Sequence, residues 1–363
     1  MQSNIGILEG LFKNKKIDLN RGDLFDKSPG PMPVNFDFDR VEGMMLGLAI
    51  GDSLGRSTEG MLPENRRARF GEIKDYLTSS YVDGPIGVPS DDTQLAFWTL
   101  EQMINDRAFI PANVAGRFCR DRIFGIGSSV MRFLNNLKSG SPWFEAGPKS
   151  AGNGALMRIA PMVIPHLRTA TSELWVDTAL SAMITHNDSS SISSYISFVN
   201  MLWQLLRMES PLEPYWWLKT YVDTARDLEI DEHYRQRGGA HMDFEGPVWR
   251  FVQEKVPEAF DKGMSALEAC NLWYSGAYLL ETVPSVILIL MKHGDNLEEA
   301  LIRAINDTKD NDTIGAIVGA TVGALHGKGA IPEMWIKNHS GRTSFSDDGR
   351  IFELLSEAKS LWG

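Results

Sequence analysis

Glycine recurs every fourth residue in two distant stretches: Gly43, Gly47, Gly51 and Gly55 in "VEGMMLGLAIGDSLG", and Gly315, Gly319 and Gly323 in "TIGAIVGATVGALHG". Positions four apart lie on one helix face. Each glycine costs a helix about 1 kcal/mol relative to alanine. A whole stripe therefore implies an offsetting gain, which close packing of two helix backbones supplies. We expect these two helices to be central and to lie against each other. A chance surplus of glycine explains one stripe more easily than two.

Helical periodicity dominates from Val41 onward. "DTQLAFWTLEQMIND", "ELWVDTALSAMIT", "SSYISFVNMLWQLLRM" and "NLEEALIRAIND" each read as one helix. "MSALEACNLWYSGAYLLETVPSVILILMKHG" reads as two, with Pro284 as the interruption. Strand alternation is hard to find, so the expected fold class is all-α. Residues 207–263 read as an irregular elaboration on the core. Residues 1–40 read as an N-terminal arm before a domain spanning 41–363. Ile5, Leu8, Leu11 and Phe12 share a helix face, and Pro29, Pro31 and Pro33 then favour an extended path. Such an arm either straps onto its own surface or reaches a partner.

The charge balance, 36 Lys and Arg against 47 Asp and Glu, offers no basic face for nucleic acid or an anionic membrane. The longest apolar run, "VPSVILILM", is too short to span a bilayer, and "NIGILEGLF" lacks the basic leader of a signal peptide. Two distant cysteines, Cys119 and Cys270, make neither a zinc site nor a disulfide framework. We expect a soluble cytoplasmic protein.

Two acidic clusters stand out. Ser90, Asp91 and Asp92 open the helix in "PSDDTQLAFWTL"; Asp310, Asp312 and Thr313 open the second glycine-striped helix. Either alone reads as a helix cap, because carboxylates favour helix N-termini. If the two helix starts converge, like charges crowd together and need protons or cations. The donors are hard oxygens, suited to Mg²⁺, Mn²⁺ or Ca²⁺ and not to Zn²⁺. Glu59 follows the first glycine stripe, and Asp52 lies within it. In "SAGNGALMRIAPM", Gly152-Asn153-Gly154 offers backbone amides of the kind that bind phosphate. His186, in "THND", ends a helix, where histidine is often structural.

Five segments, "GLAIGDSLGRSTEG", "SDDTQLA", "GNGALMRIAP", "THND" and "DNDTIGAIVGA", resemble the ADP-ribosylglycohydrolase family in order and separation. The resemblance implies a compact all-α domain with a dinuclear Mg²⁺ site, Mn²⁺ being the alternative metal. Ser90, Asp91, Asp92, Asp310, Asp312 and Thr313 would be the ligands. Glu59 or Asp91 would position or deprotonate water. Gly127, Ser128, Asn153, Gly154, Met157, His186, Tyr278 and Glu281 would line the ADP-ribose cleft. The implied reaction is hydrolysis of the bond between ADP-ribose and arginine in a modified protein, by a monomer. Some family members act as immunity proteins, so residues 1–40 would engage an ADP-ribosyltransferase toxin. A purely occluding toxin-binding protein, or a hydrolase of another ADP-ribosyl linkage, are the alternatives. Two departures are visible. Thr308 and Lys309 replace a frequent Gly-Gly pair, and Gly125 stands where the nitrogenase-regulating branch has Asp, which argues against dinitrogenase reductase as the substrate.

Overall fold

The computed structural model describes residues 3–78, 84–208, 212–230 and 233–363. Its first half holds α1 (Asn4–Lys13), α2 (Asp39–Arg56), α3 (Pro63–Phe70), α4 (Asp91–Asp106), α5 (Pro111–Arg117), α6 (Ser128–Lys138), α7 (Trp143–Ala146) and α8 (Glu173–Met183). The second half holds α9 (Ser189–Leu205), α10 (Pro214–Leu228), α11 (Val248–Asp261), α12 (Ala266–Trp273), α13 (Leu279–His293), α14 (Leu297–Asp307), α15 (Asn311–His326), α16 (Glu333–Lys337) and α17 (Arg350–Trp362). Among the described residues there are isolated β-bridges and no strand. The fold is all-α.

The two glycine stripes meet as an antiparallel pair, α2 against α15. A Cβ added to Gly47 would stand 2.1 Å from the carbonyl oxygen of Gly319, and one added to Gly51 would stand 2.0 Å from that of Gly315. Both obstacles are backbone, so neither can rotate away. The remaining faces of these helices are apolar and buried: Met44, Leu48, Ile50, Ile314, Ile317 and Val318 are fully enclosed. The register fixes the ends as well as the middle. Gly55, at the end of α2, abuts the backbone of Asp312, at the start of α15.

Two local expectations need correction. Pro284 does not divide the apolar run; it sits inside α13. The break falls at Tyr274 and Ser275, which adopt positive φ of 70° and 40°. There the Ser275 carbonyl accepts the Asp310 N–H at 2.9 Å, so the break serves the loop before α15. Residues 207–263 are also more regular than expected. Most of them form α10 and α11, and α11 buries Val248, Phe251, Val252 and Val256 on one face.

The N-terminal segment is docked along the domain. Leu8, Leu11, Ile17, Leu19 and Phe25 are buried. Asn4 Nδ2 donates to Asp177 of α8 at 2.7 Å. The indole N–H groups of Trp175 and Trp203 donate to the carbonyls of Lys27 and Gly30 at 2.8 and 3.0 Å. Leu8 and Leu11 of α1 are thus covered by their own chain, while Ile5, expected on the same face, stays exposed.

Candidate active site

The glycine pairing brings three chain segments to one point: the turn after α2, the start of α4 and the start of α15. Asp52, inside α2, pins α4 in place. It accepts from the backbone N–H of Ser90 at 2.9 Å and of Thr93 at 3.1 Å. Ser90 caps α4, and its hydroxyl donates to Asp92 Oδ2 at 3.1 Å. Thr313 of α15 donates to Asp92 Oδ1 at 3.2 Å. Arg66, fully buried, donates to the carbonyls of Thr308 at 2.7 Å and Met61 at 2.9 Å, tying the α2 turn to the loop before α15.

Carboxylate oxygens of Asp52, Asp92 and Asp312 lie within 4.8 Å of one another, as do those of Glu59, Asp310 and Asp312. Asp312 belongs to both groups. Burial and then neighbouring charge push Asp91, Asp92 and Asp312 well above the usual carboxylate range; Asp52 acts on the first two, Asp310 on the third. Asp310 is pushed up to about 6, mainly by burial. Glu59 stands exposed at the mouth, and nearby protein bulk and then the Asp52 charge raise its carboxyl too. Such crowding is relieved by protons or by cations. The donors are all oxygen, with no thiolate or imidazole in either group. They fit a hard divalent cation.

A cavity of about 330 Å³ opens above these acids, within the range of small-molecule sites. Of the residues expected at the site, Glu59, Asp91, Asp92, Asp310, Asp312 and Thr313 line it on one side. Gly127, Ser128, Asn153, Gly154, Met157, His186 and Tyr278 line the rest. Asn153 joins the two sides, donating to Asp310 Oδ2 at 2.6 Å and to Thr282 Oγ1 at 3.0 Å. The Gly152 loop is held from behind by Ser191, whose hydroxyl donates to the Ser150 carbonyl at 2.7 Å. Burial and then the Arg158 charge push the His186 imidazole down to about 3, so it is neutral at ordinary pH.

Ser90 and Glu281 are not on the cavity wall. Ser90 acts one step back, through Asp92. Glu281, fully buried, accepts from Arg237 Nε at 3.2 Å and Nη2 at 3.0 Å. Arg237 itself lines the cavity, stacked 4.8 Å from the Tyr278 ring centroid. Arg237 is not among the residues expected at the site, and "RQRGG" carries no local signal that this arginine turns inward. Lys309 turns away from the cavity: its Nζ lies 3.8 Å from the Tyr274 ring centroid and bonds the phenol. Gly125 does line the cavity, and a Cβ there would meet Asp91 Oδ1 at 3.3 Å.

Fold and site together define an all-α protein with a cluster of oxygen donors, of a kind that fits a hard cation, in the floor of a small-molecule cavity. The ADP-ribosylglycohydrolase family profile matches residues 33–360, and the chain belongs to that family, whose members hydrolyse ADP-ribosyl linkages. It is 24% identical to the ADP-ribosylarginine hydrolase Tri1 of Pseudomonas putida, over 82% of this chain and 74% of that one. It is 26% identical to human ADP-ribosylhydrolase ARH3, over 83% and 89% of the respective chains. A solved ADP-ribosylglycohydrolase-related protein complex superimposes with a TM-score of 0.65 at 25% identity, covering 89% of this chain and 97% of that one. No helix among the described residues is long and apolar enough to cross a membrane.

Proposed function

We propose that this protein removes ADP-ribose from arginine side chains of modified proteins, using two divalent cations, Mg²⁺ before Mn²⁺. The observation that carries the reading is the sharing of Asp312 between the two carboxylate groups, directly beneath the cavity. Asp92, Asp310, Asp312 and Thr313 would hold the cations, with Asp91 beside them. When bound, the cations supply Lewis acidity toward substrate oxygens.

The chain's own groups define the rest. Asn153, bonded to Asp310, and the neutral His186 line the same cavity as the acids and would orient the ligand. Cleavage breaks the bond from ribose C1 to the guanidine nitrogen through an oxocarbenium-like transition state. Water oxygen takes the nitrogen's place. Glu59 or Asp91 accepts a water proton, and the guanidine leaves carrying a proton. The exposed Glu59 carboxylate at the mouth favours a cationic guanidinium over a neutral serine hydroxyl. The name of the Pseudomonas relative agrees with that linkage. The toxin-occluding alternative draws no support from the N-terminal segment, whose Leu8 and Leu11 face is covered by its own domain.

The test is release of ADP-ribose from arginine-linked, serine-linked and polymeric substrates, with Mg²⁺ and with chelator. Asp310→Ala/Asp312→Ala is the control. Cation-dependent release from the arginine substrate, absent in the double variant, is the expected result. Release only from another linkage would overturn the arginine assignment. Release from none would overturn the hydrolase reading.

A further inference from the structure

Arg158 carries a fully buried guanidinium with no carboxylate partner among the described residues. Its Nη1 donates to Ser181 Oγ at 3.2 Å, and its Nη2 to the Ser181 carbonyl at 3.0 Å and to Thr185 Oγ1 at 2.8 Å. Its Nε has no hydrogen-bond partner. The rings of Phe118 and Tyr195 lie 5.3 and 5.9 Å from its Cζ. A buried charge without a counter-ion is costly. Its hydrogen bonds lead toward the cavity.

The route runs through Thr185 to His186, whose Nδ1 lies 2.9 Å from Thr185 Oγ1. The proton positions follow from the available donors. Arginine is always a donor, so Thr185 Oγ1 accepts from Arg158. The hydroxyl then has one proton to give, and the Nδ1 lone pair is the acceptor that the described residues offer. The opposite assignment, Nδ1–H donating to Thr185, leaves a buried hydroxyl proton unpaired beside a cation. The imidazole proton therefore sits on Nε2. His186 lines the cavity, and its Nε2 lies under the glycine loop, 3.3 Å from where a Cβ on Gly154 would stand. The pull of burial and the Arg158 charge toward a neutral ring agrees with this arrangement.

We propose that Arg158 and Thr185 are positioning residues: they hold His186 as the neutral tautomer that presents Nε2–H to an anionic oxygen of the ligand, and Arg158 places a positive charge behind that bond. The ligand chemistry this suits is a phosphate ester, and the inference rests on the ADP-ribosyl reading above. Histidine tautomers are set by the bond that the second ring nitrogen makes. Here that bond is itself polarised by a buried cation.

The experiment has two arms on the full chain. The first is nitrogen NMR at pH 7 of ligand-free protein carrying ¹⁵N-histidine, with His186 assigned by loss of its signals in His186→Asn. The expected spectrum shows an unprotonated Nδ1 and a protonated Nε2. A proton on Nδ1, or a doubly protonated ring, overturns the proposal without any further variant. The second arm measures free ADP-ribose binding by calorimetry. Thr185→Val is expected to weaken it about tenfold, while Thr185→Ser, which keeps the hydroxyl, stays within about twofold. KM should rise in Thr185→Val with kcat kept. Unchanged binding by a folded valine variant overturns the proposal. If wild type shows the expected tautomer but binds no ADP-ribose, the functional reading fails and the tautomer assignment stands.

Discussion

Thr313 donates its hydroxyl to Asp92 at 3.2 Å, across a sequence separation of 221 residues. The bond joins the starts of α15 and α4, and both helices present their carboxylates to one cavity. Neither helix start reaches that point alone. α2 links them: its glycines lie on the backbone of α15, and its Asp52 holds the start of α4. The metal-type cluster is therefore a consequence of helix register.

Gly51→Ala should be severely destabilising. Its Cβ would sit 2.0 Å from the Gly315 carbonyl oxygen, a backbone atom that can move only with its helix. Overpacking costs about 1–3 kcal/mol even where side chains can yield, so we expect a loss of at least about 3 kcal/mol after the helix-propensity gain of about 1 kcal/mol. Gly10→Ala, in α1 with nothing within 4 Å of the new Cβ, should be neutral or stabilising. Thermal unfolding of the two variants separates packing from propensity; equal melting temperatures would contradict the account.

With chelator present, stability should fall as pH rises. The folded-state pKa of Asp310, about 6, lies above its ordinary value of 3.8, so the folded protein holds this proton more tightly than the unfolded chain. Its contribution is complete below about pH 4 and is lost by about pH 6. Asp92 and Asp312 shift the same way and add to the loss. Mg²⁺ at one hundred times its Kd should restore about 2.7 kcal/mol at pH 7. Asp312→Asn should raise the chelator-treated melting temperature at pH 7 and abolish the response to Mg²⁺. A lower melting temperature for that variant in chelator would show that charge repulsion is not what the cluster stores.

Arg237 and Glu281 should behave unequally. Glu281 is fully enclosed, while the Arg237 side chain keeps 51% exposure. Arg237→Ala strands a buried carboxylate and should cost about 2 kcal/mol, less than the 3–5 kcal/mol of a fully buried pair because solvent screens the arginine side. Glu281→Gln leaves an arginine that water can solvate, so stability changes little. It should instead raise KM about tenfold through loss of the Arg237 orientation, a shift of about 1.4 kcal/mol. Steady-state kinetics and melting curves on both variants check this; identical profiles would rule it out.

Removing residues 1–30 should destabilise the hydrolase domain itself. It strips Leu8, Leu11 and Phe25 from the core and takes the acceptors from the Trp175 and Trp203 indoles. Each buried large apolar side chain is worth about 1.5–3 kcal/mol, so the melting temperature should fall by at least about 5 °C. A truncated chain that melts like wild type would make the segment a separable arm.

Much of the fold was legible because it is local. The glycine stripes named the central pair, and period and capping located α4, α8, α9 and α14 to within a few residues. Local reading failed where tertiary contacts override propensity. Proline is tolerated inside α13, and the break at Tyr274 and Ser275 uses left-handed backbone that their side chains disfavour. For the site, the carboxylates and the Asn153 loop were visible as motifs. Arg237 was not, since its inward turn depends on Glu281, a partner 44 residues away.

The sequence by itself determined the all-α class, the pairing of α2 with α15 and the identity of the acidic clusters, because glycine spacing and helix-start carboxylates act over one or two turns. Only the tertiary structure decided that these carboxylates share Asp312, that Ser90 and Glu281 stand behind the wall, and that Arg158 backs His186. Those facts depend on register and on the burial of charge, which arise when distant helices pack and water is excluded between them.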